Sequence, residues 1–266
     1  MIEERNYPLI IAHRGASASA PENTITAFKK AVDEGAEGIE FDVRLAKDGI
    51  PVVFHDPDLK RICGIDGNLE DFSSQDLGKF DSGSWFNKNQ PSQADRRFST
   101  ETIPTLDASL DALREFDGIL YVELKSEGED ISALTHSVCD ILTSSSINSR
   151  IIVKSFELSA IALVRNEFPH LATASLFEPT VKTVFRKEEE IVRASERVGA
   201  HRISLHFSLA TRKLMKLAKE VNLPVTIWTT DHPRWIKRGI DLGIEHIITN
   251  DPARMLAQRE KFLNQT

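Results

Sequence analysis

The chain of 266 residues has only two cysteines, Cys63 and Cys139, and neither stands at a metal-binding or redox spacing. A disulfide framework is thereby excluded, and a reducing compartment is expected. Long apolar runs are also missing. None approaches the roughly 18 residues that cross a bilayer, so stable membrane insertion is not expected. The opening Met1-Ile2-Glu3-Glu4-Arg5-Asn6 is polar and lacks an apolar signal core, which gives a cytoplasmic reading. There is no excess of basic charge: 33 Lys and Arg stand against 40 Asp and Glu, a net charge of −7. That argues against nucleic acid as a partner and against docking on anionic lipid. No Walker loop, dinucleotide fingerprint, His-Glu-x-x-His motif or Gly-x-Ser-x-Gly elbow occurs, so a nucleotide-dependent reaction has no support.

What the chain does contain is enough hydrophobic residues, 41%, for a large core. Short apolar runs alternate with helical patterns over almost its whole length. Parallel strands are expected near 8–12, 38–43, 118–125, 151–156, 171–177, 202–207, 224–230 and 246–250. Helices fit between them, over Thr24 to Glu34, Leu158 to Phe168, Lys187 to Val198 and Leu209 to Val221. Pro21-Glu22-Asn23-Thr24 reads as a turn into a helix, with Gly35 to end it. Asp48-Gly49 reads as a tight hairpin that returns Pro51 to Phe54 antiparallel to the second strand. Eight strand–helix units imply an α/β fold, a (β/α)8 TIM barrel, in one domain over 1–266. A stretch of about 56–103, rich in Gly, Ser, Asn, Asp and Gln, reads as a small rim insertion after the second strand region. Short helical turns are expected there, for example Ser73 to Leu77.

The residues suited to chemistry stand at or near the C-terminal ends of apolar runs: His13-Arg14-Gly15, Glu40-Phe41-Asp42, His55-Asp56 and Glu123-Leu124-Lys125. Glu40 and Asp42 share one face of a strand, with Phe41 on the other. Two carboxylates facing a barrel interior resist burial unless a cation neutralises them. Glu123 offers a third oxygen ligand, and an all-oxygen set suits Mg²⁺ or Ca²⁺. The competing reading is a structural network in which Arg14, Arg44 or Lys125 neutralises the acids. His13 and His55 titrate near neutrality and suit acid/base catalysis, against the plainer reading of two buried, hydrogen-bonded histidines. Arg14 matches a phosphate bidentately and Lys125 adds a point charge. Phe156 and Trp228, at strand ends, either line a substrate pocket or cap the core. His206 reads as ordinary, as do His136, His170, His201, His232 and His246. Together the set points to metal-assisted phosphoester hydrolysis.

With these residues laid out, the chain resembles the glycerophosphodiester phosphodiesterase family. The match runs through His13-Arg14-Gly15, Pro21-Glu22-Asn23-Thr24, Ile39-Glu40-Phe41-Asp42-Val43, Lys47-Asp48-Gly49 and Val52-Val53-Phe54-His55-Asp56 to Arg61. It continues through Ile103-Pro104-Thr105-Leu106, Glu123-Leu124-Lys125, Ser155-Phe156 and Trp228-Thr229. The resemblance implies a TIM barrel, a divalent metal on Glu40, Asp42 and Glu123, acid/base histidines at His13 and His55, and phosphate contacts at Arg14 and Lys125. It implies a small-molecule glycerophosphodiester substrate, cleaved by water to an alcohol and glycerol 3-phosphate. The chain departs from the pattern at Asp107, where Glu is common, and at Asp231, where the family often has Thr-Val-Asn against Thr229-Thr230-Asp231. It departs again at Asn250, where Thr-Asp-x-Pro is favoured. Two other functions stay open: a lysophospholipase D-type or sphingomyelinase D-like phosphodiesterase, with Trp85-Phe86 contacting lipid, and a non-catalytic phosphodiester-binding barrel.

Overall fold

The computed structural model describes residues 7–126, 131–147, 150–179 and 188–265. Eight parallel strands close on themselves: β1 (Leu9–His13), β2 (Gly38–Leu45), β4 (Ile119–Leu124), β5 (Ile151–Ser155), β6 (Ala172–Phe177), β7 (Arg202–His206), β8 (Val225–Trp228) and β9 (His246–Thr249). β1 pairs with both β9 and β2, which closes the ring as expected for a TIM barrel. The hairpin also forms. β3 (Pro51–Val53) runs antiparallel on β2 outside the ring, turned through Gly49 at φ +76°.

Residues of alternate parity face in and out. Ile11, Tyr121, Ile152, Ala174 and Ile248 form the apolar middle of the barrel. Outward residues such as Ile39, Phe41, Val43, Val122 and Val153 pack instead with Phe28 and Ala31 of α1 (Ile25–Asp33) and with Leu134, Val138 and Leu142 of α6 (Ile131–Ser144). Phe41 meets Phe28 at 5.5 Å between ring centroids, on the helical side of the sheet as its alternation requires. Below the apolar layer, Tyr121, Thr226, Arg202 and His246 form a hydrogen-bonded plug; there Tyr121 Oη lies 2.7 Å from His246 Nδ1.

The helices follow local signals. Thr24 caps α1 by accepting from the Ala27 amide, and Gly35 follows the helix at φ +80°. α9 (Arg212–Glu220) begins later than the Leu209 start that apolar periodicity suggests, because Thr211 caps the Leu214 amide and Phe207–Leu209 forms a separate 3₁₀ turn. α8 spans Glu188–Arg197; Lys187, the expected first residue, lies outside the described residues. The rim insertion contains short helices, among them α3 (Ser74–Leu77), and its own core of Leu59, Ile62, Leu69, Leu77 and Ile103 against Val52 and Phe54. Phe86 is 2% exposed and stacks edge-on against Phe98, while Trp85 donates to the Ser82 carbonyl. Phe86 is therefore packed into the insertion, while Trp85 is half-buried at its edge. Among the described residues no helix is long and apolar enough to cross a membrane.

After β1 the chain makes a turn that only glycine accommodates. Gly15 has φ +81°, and a Cβ there would stand 2.6 Å from the Ala27 carbonyl carbon. Both the dihedral and the contact penalise any side chain. Gly15→Ala is expected to lower unfolding free energy by about 2 kcal/mol or more, read by urea denaturation. An unchanged midpoint would show that the turn tolerates a Cβ.

Candidate active site

The inward positions one layer above the apolar plug are polar, and strand register brings them together. His13 is level with Glu40, Asp42 with Glu123, and Glu123 with Lys154. One oxygen each from Glu40, Asp42 and Glu123 lies within 4.8 Å of the others, and all three residues are buried. Like charges this close need compensation, and three cationic side chains supply it. Lys154 Nζ stands 2.7 Å from Glu40 Oε1 and 2.9 Å from Glu123 Oε2. Lys125 pairs with Glu123 and reaches Asp42 Oδ1 at 3.4 Å. Arg14 Nε lies 3.0 Å from Asp42 Oδ2, and its Nη1 donates to Glu22 at 2.7 Å. Asn23 Nδ2 adds a hydrogen bond of 2.9 Å to Asp42 Oδ2.

The loop that delivers Arg14 is bent hard. Arg14 and Asn23 both adopt φ +56°, uncommon for non-glycine residues and here imposed by their shared grip on Asp42. In the turn Pro21-Glu22-Asn23-Thr24 each polar residue has a separate task. Glu22 holds Arg14 and Arg61, Asn23 holds Asp42, and Thr24 caps α1.

The charges are strongly coupled. Burial raises the Asp42 carboxyl, but Arg14 and Lys125 overcome it and hold it well below the ordinary range, with smaller help from His55 and His13. Burial likewise opposes ionised Glu123, yet Lys154 and Lys125 bring it down to about 2. Glu123 and Glu40 keep Lys154 above its usual value despite burial, and Asp42, Glu22 and Glu40 do the same for Arg14. His13 is shifted down, mainly by burial and partly opposed by Glu40.

The two histidines have different partners. His13 Nδ1 lies 2.7 Å from Asn250 Oδ1, and its Nε2 is 3.8 Å from Glu40. His55 Nδ1 lies 2.7 Å from Asp56 Oδ1, and Arg61 binds that same carboxylate, Nε donating at 2.6 Å. The Arg44 guanidinium, buried beneath, donates to the His55 carbonyl at 2.7 Å. Phe156 and Trp228 meet edge-on at 5.6 Å, and Lys125 Nζ stands 5.7 Å over the Phe156 ring. His206 lies 5.6 Å from Trp228, at the same barrel mouth.

The structure thus brings Glu40, Asp42, Glu123, Arg14, Lys125 and His13 into one cluster, with His55 within electrostatic reach of Asp42. The alternative of a salt-bridge network is present as well, because Arg14 and Lys125 do pair with these acids. Lys154 and the Asp231–Asn250 pair join the site without having been singled out as functional residues from the sequence. The available signal for Lys154 was a lysine at the inward parity of the apolar run Ile151-Ile152-Val153.

The carboxylates suit a hard cation. Glu40 Oε1, Asp42 Oδ1 and Glu123 Oε1 are buried oxygens, one from each acid, and each meets a lysine ammonium: Lys154 Nζ at Glu40, and Lys125 Nζ at both Asp42 and Glu123. Three carboxylate oxygens that converge within 4.8 Å match the donor set of a divalent metal ion.

A closed barrel with acids, imidazoles and guanidinium at the C-terminal strand ends is suited to phosphodiester chemistry. The Glycerophosphoryl diester phosphodiesterase family model matches residues 13–254, and the chain belongs to that family. A glycerophosphodiester phosphodiesterase of Caldanaerobacter subterraneus subsp. tengcongensis is 30% identical over 93% of this chain and 96% of its own length. A protein of the same name from Bacillus altitudinis is 27% identical over 95% and 98%. Among solved structures, an Oleispira antarctica phosphodiesterase in complex with the product sn-glycerol-3-phosphate superposes with a TM-score of 0.83 at 23% identity, covering 96% of this chain and 97% of that one.

The coupling has a pH signature. Glu123 loses its proton near 4.5 ordinarily but near about 2 when folded. Its contribution to stability is therefore complete above about 4.5 and disappears as pH falls towards about 2; Asp42 has the same sign. The unfolding temperature of metal-free protein is expected to fall steeply across that interval. Glu123→Gln should start lower at neutral pH and fall less steeply. A wild-type midpoint independent of acid would contradict the charge assignment.

Proposed function

We propose that this protein hydrolyses glycerophosphodiesters to an alcohol and glycerol 3-phosphate, with Glu40, Asp42 and Glu123 holding one divalent cation, Mg²⁺ or Ca²⁺. The observation that carries the reading is the cluster of three buried carboxylates within one strand layer, with one oxygen from each within 4.8 Å of the others, flanked by His13 and Arg14. When bound, the cation supplies Lewis-acid stabilisation of charge on the phosphate oxygens. Arg14 and Lys125, held in place by Glu22, Asp42 and Glu123, bind the phosphate and stabilise the negative charge that grows in the transition state. One imidazole removes the proton of the attacking hydroxyl. The other protonates the departing alkoxide, so that water and diester give alcohol and monoester in balance. His55, set on the Asp56 carboxylate, and His13, set on the Asn250 amide, are the pair in these roles. Phe156 and Trp228 wall the side of the pocket next to Lys125. The barrel and its rim insertion act as a single catalytic domain, because Arg61 of the insertion ties Asp56 to Glu22.

The test is release of glycerol 3-phosphate from glycerophosphocholine and glycerophosphoethanolamine, with Mg²⁺, Ca²⁺ or chelator. Turnover with metal and none with chelator is expected. His13→Ala and His55→Ala should each lower kcat roughly a hundredfold or more while the fold persists by circular dichroism. Glu40→Ala should abolish metal binding in calorimetry. Full activity in chelator, or in both histidine variants, would remove the mechanism.

A further inference from the structure

Asp231 and Asn250 form a hydrogen-bonded pair beside His13. Asp231, just beyond β8, receives three donors: the Thr249 hydroxyl at 2.8 Å, the Asn250 backbone N–H at 2.7 Å and the Asn250 side-chain Nδ2 at 2.9 Å. A carboxylate only accepts. The Asn250 amide must therefore turn its nitrogen towards Asp231 and its oxygen away. That oxygen lies 2.7 Å from His13 Nδ1 and also takes the Ser17 hydroxyl at 3.0 Å. An amide oxygen has no proton to offer, so the proton of this contact sits on His13 Nδ1. In the neutral ring Nε2 is then the bare nitrogen, and it is the one that faces Glu40 and the carboxylate layer.

We propose that Asp231 and Asn250 are positioning residues that fix the ring plane and the Nδ1–H tautomer of His13, so that Nε2 points at the reacting phosphodiester. The inference rests on the phosphodiesterase reading of His13. Second partners of this kind set the tautomer and aim of a functional imidazole. Position 231 is a carboxylate and position 250 an amide, and each complements the other as acceptor and donor. The pair keeps one of each, which preserves the link between β8 and β9 while placing a neutral group on the imidazole. Either residue changed alone leaves two like groups facing each other, and Asn250→Asp sets two carboxylates together.

The experiment combines nitrogen-15 spectra of histidine-labelled, metal-free protein, at a pH where the rings are neutral, with steady-state kinetics on glycerophosphocholine. The wild-type spectrum should show His13 with its proton on Nδ1. Asn250→Ala should give a mixture of tautomers and a kcat lower by about tenfold or more, with KM changed less than about twofold. Asn250→Asp alone should be similarly impaired, and Asp231→Asn combined with Asn250→Asp should recover most of kcat. A wild-type proton on Nε2 overturns the inference without any assay of turnover. So does a wild-type kcat in Asn250→Ala alongside an inactive His13→Ala. A fully active His13→Ala would instead remove the underlying reading, which keeps the two failures apart.

Discussion

Three buried carboxylates within 4.8 Å of one another are the constraint around which the upper half of this barrel is built. Without opposing charge such a group would unfold the strand ends or take up protons. Lys154 from β5, Lys125 from the end of β4 and Arg14 from the turn after β1 each approach from a different direction. Their positions explain local features that otherwise look like defects. Arg14 and Asn23 occupy left-handed backbone conformations because their side chains both converge on Asp42. Gly15 follows because the chain must then double back against Ala27, where no Cβ fits.

The same arrangement links electrostatics to chemistry. In the proposed reaction, Arg14 and Lys125, which neutralise the acids in the resting protein, are also the groups that bind the phosphate. The carboxylate oxygens that converge within 4.8 Å are those suited to a metal ion. Charge therefore stays nearly balanced as ligands arrive, which limits the reorganisation demanded of a buried site. The rim insertion is held into this network by one guanidinium. Arg61 binds Asp56 behind His55 and Glu22 behind Arg14, so the far wall of the site and the phosphate contact share a single brace.

Much of this could be read from residue order. Strand and helix periods survive in the chain because the barrel buries both faces of its strands, and the hairpin and the Pro-Glu-Asn-Thr turn carry their own local chemistry. Glu40, Asp42 and Glu123 were visible because acids at inward parity contradict an apolar strand. Lys154 has the same signature, but a lysine at a strand end is more often solvated. Asp231 and Asn250 stood out only as departures from the family pattern, since what matters is a contact between two loops and a histidine 237 residues away in sequence from Asn250. Trp85-Phe86 looked like an exposed aromatic pair only because an aperiodic segment does not reveal that it has its own core.

By itself the sequence determined the eight-unit barrel, the hairpin and the identity of the acids, imidazoles and guanidinium at the strand ends, because these follow from local periodicity and residue chemistry. Closure of the ring decided the rest. Register between neighbouring strands sets His13 beside Glu40 and Lys154 beside Glu123. The meeting of the loops after β8 and β9 with the end of β1 decides the hydrogen-bond partner of each imidazole. Those are distances between segments far apart in the chain, and no local pattern encodes them.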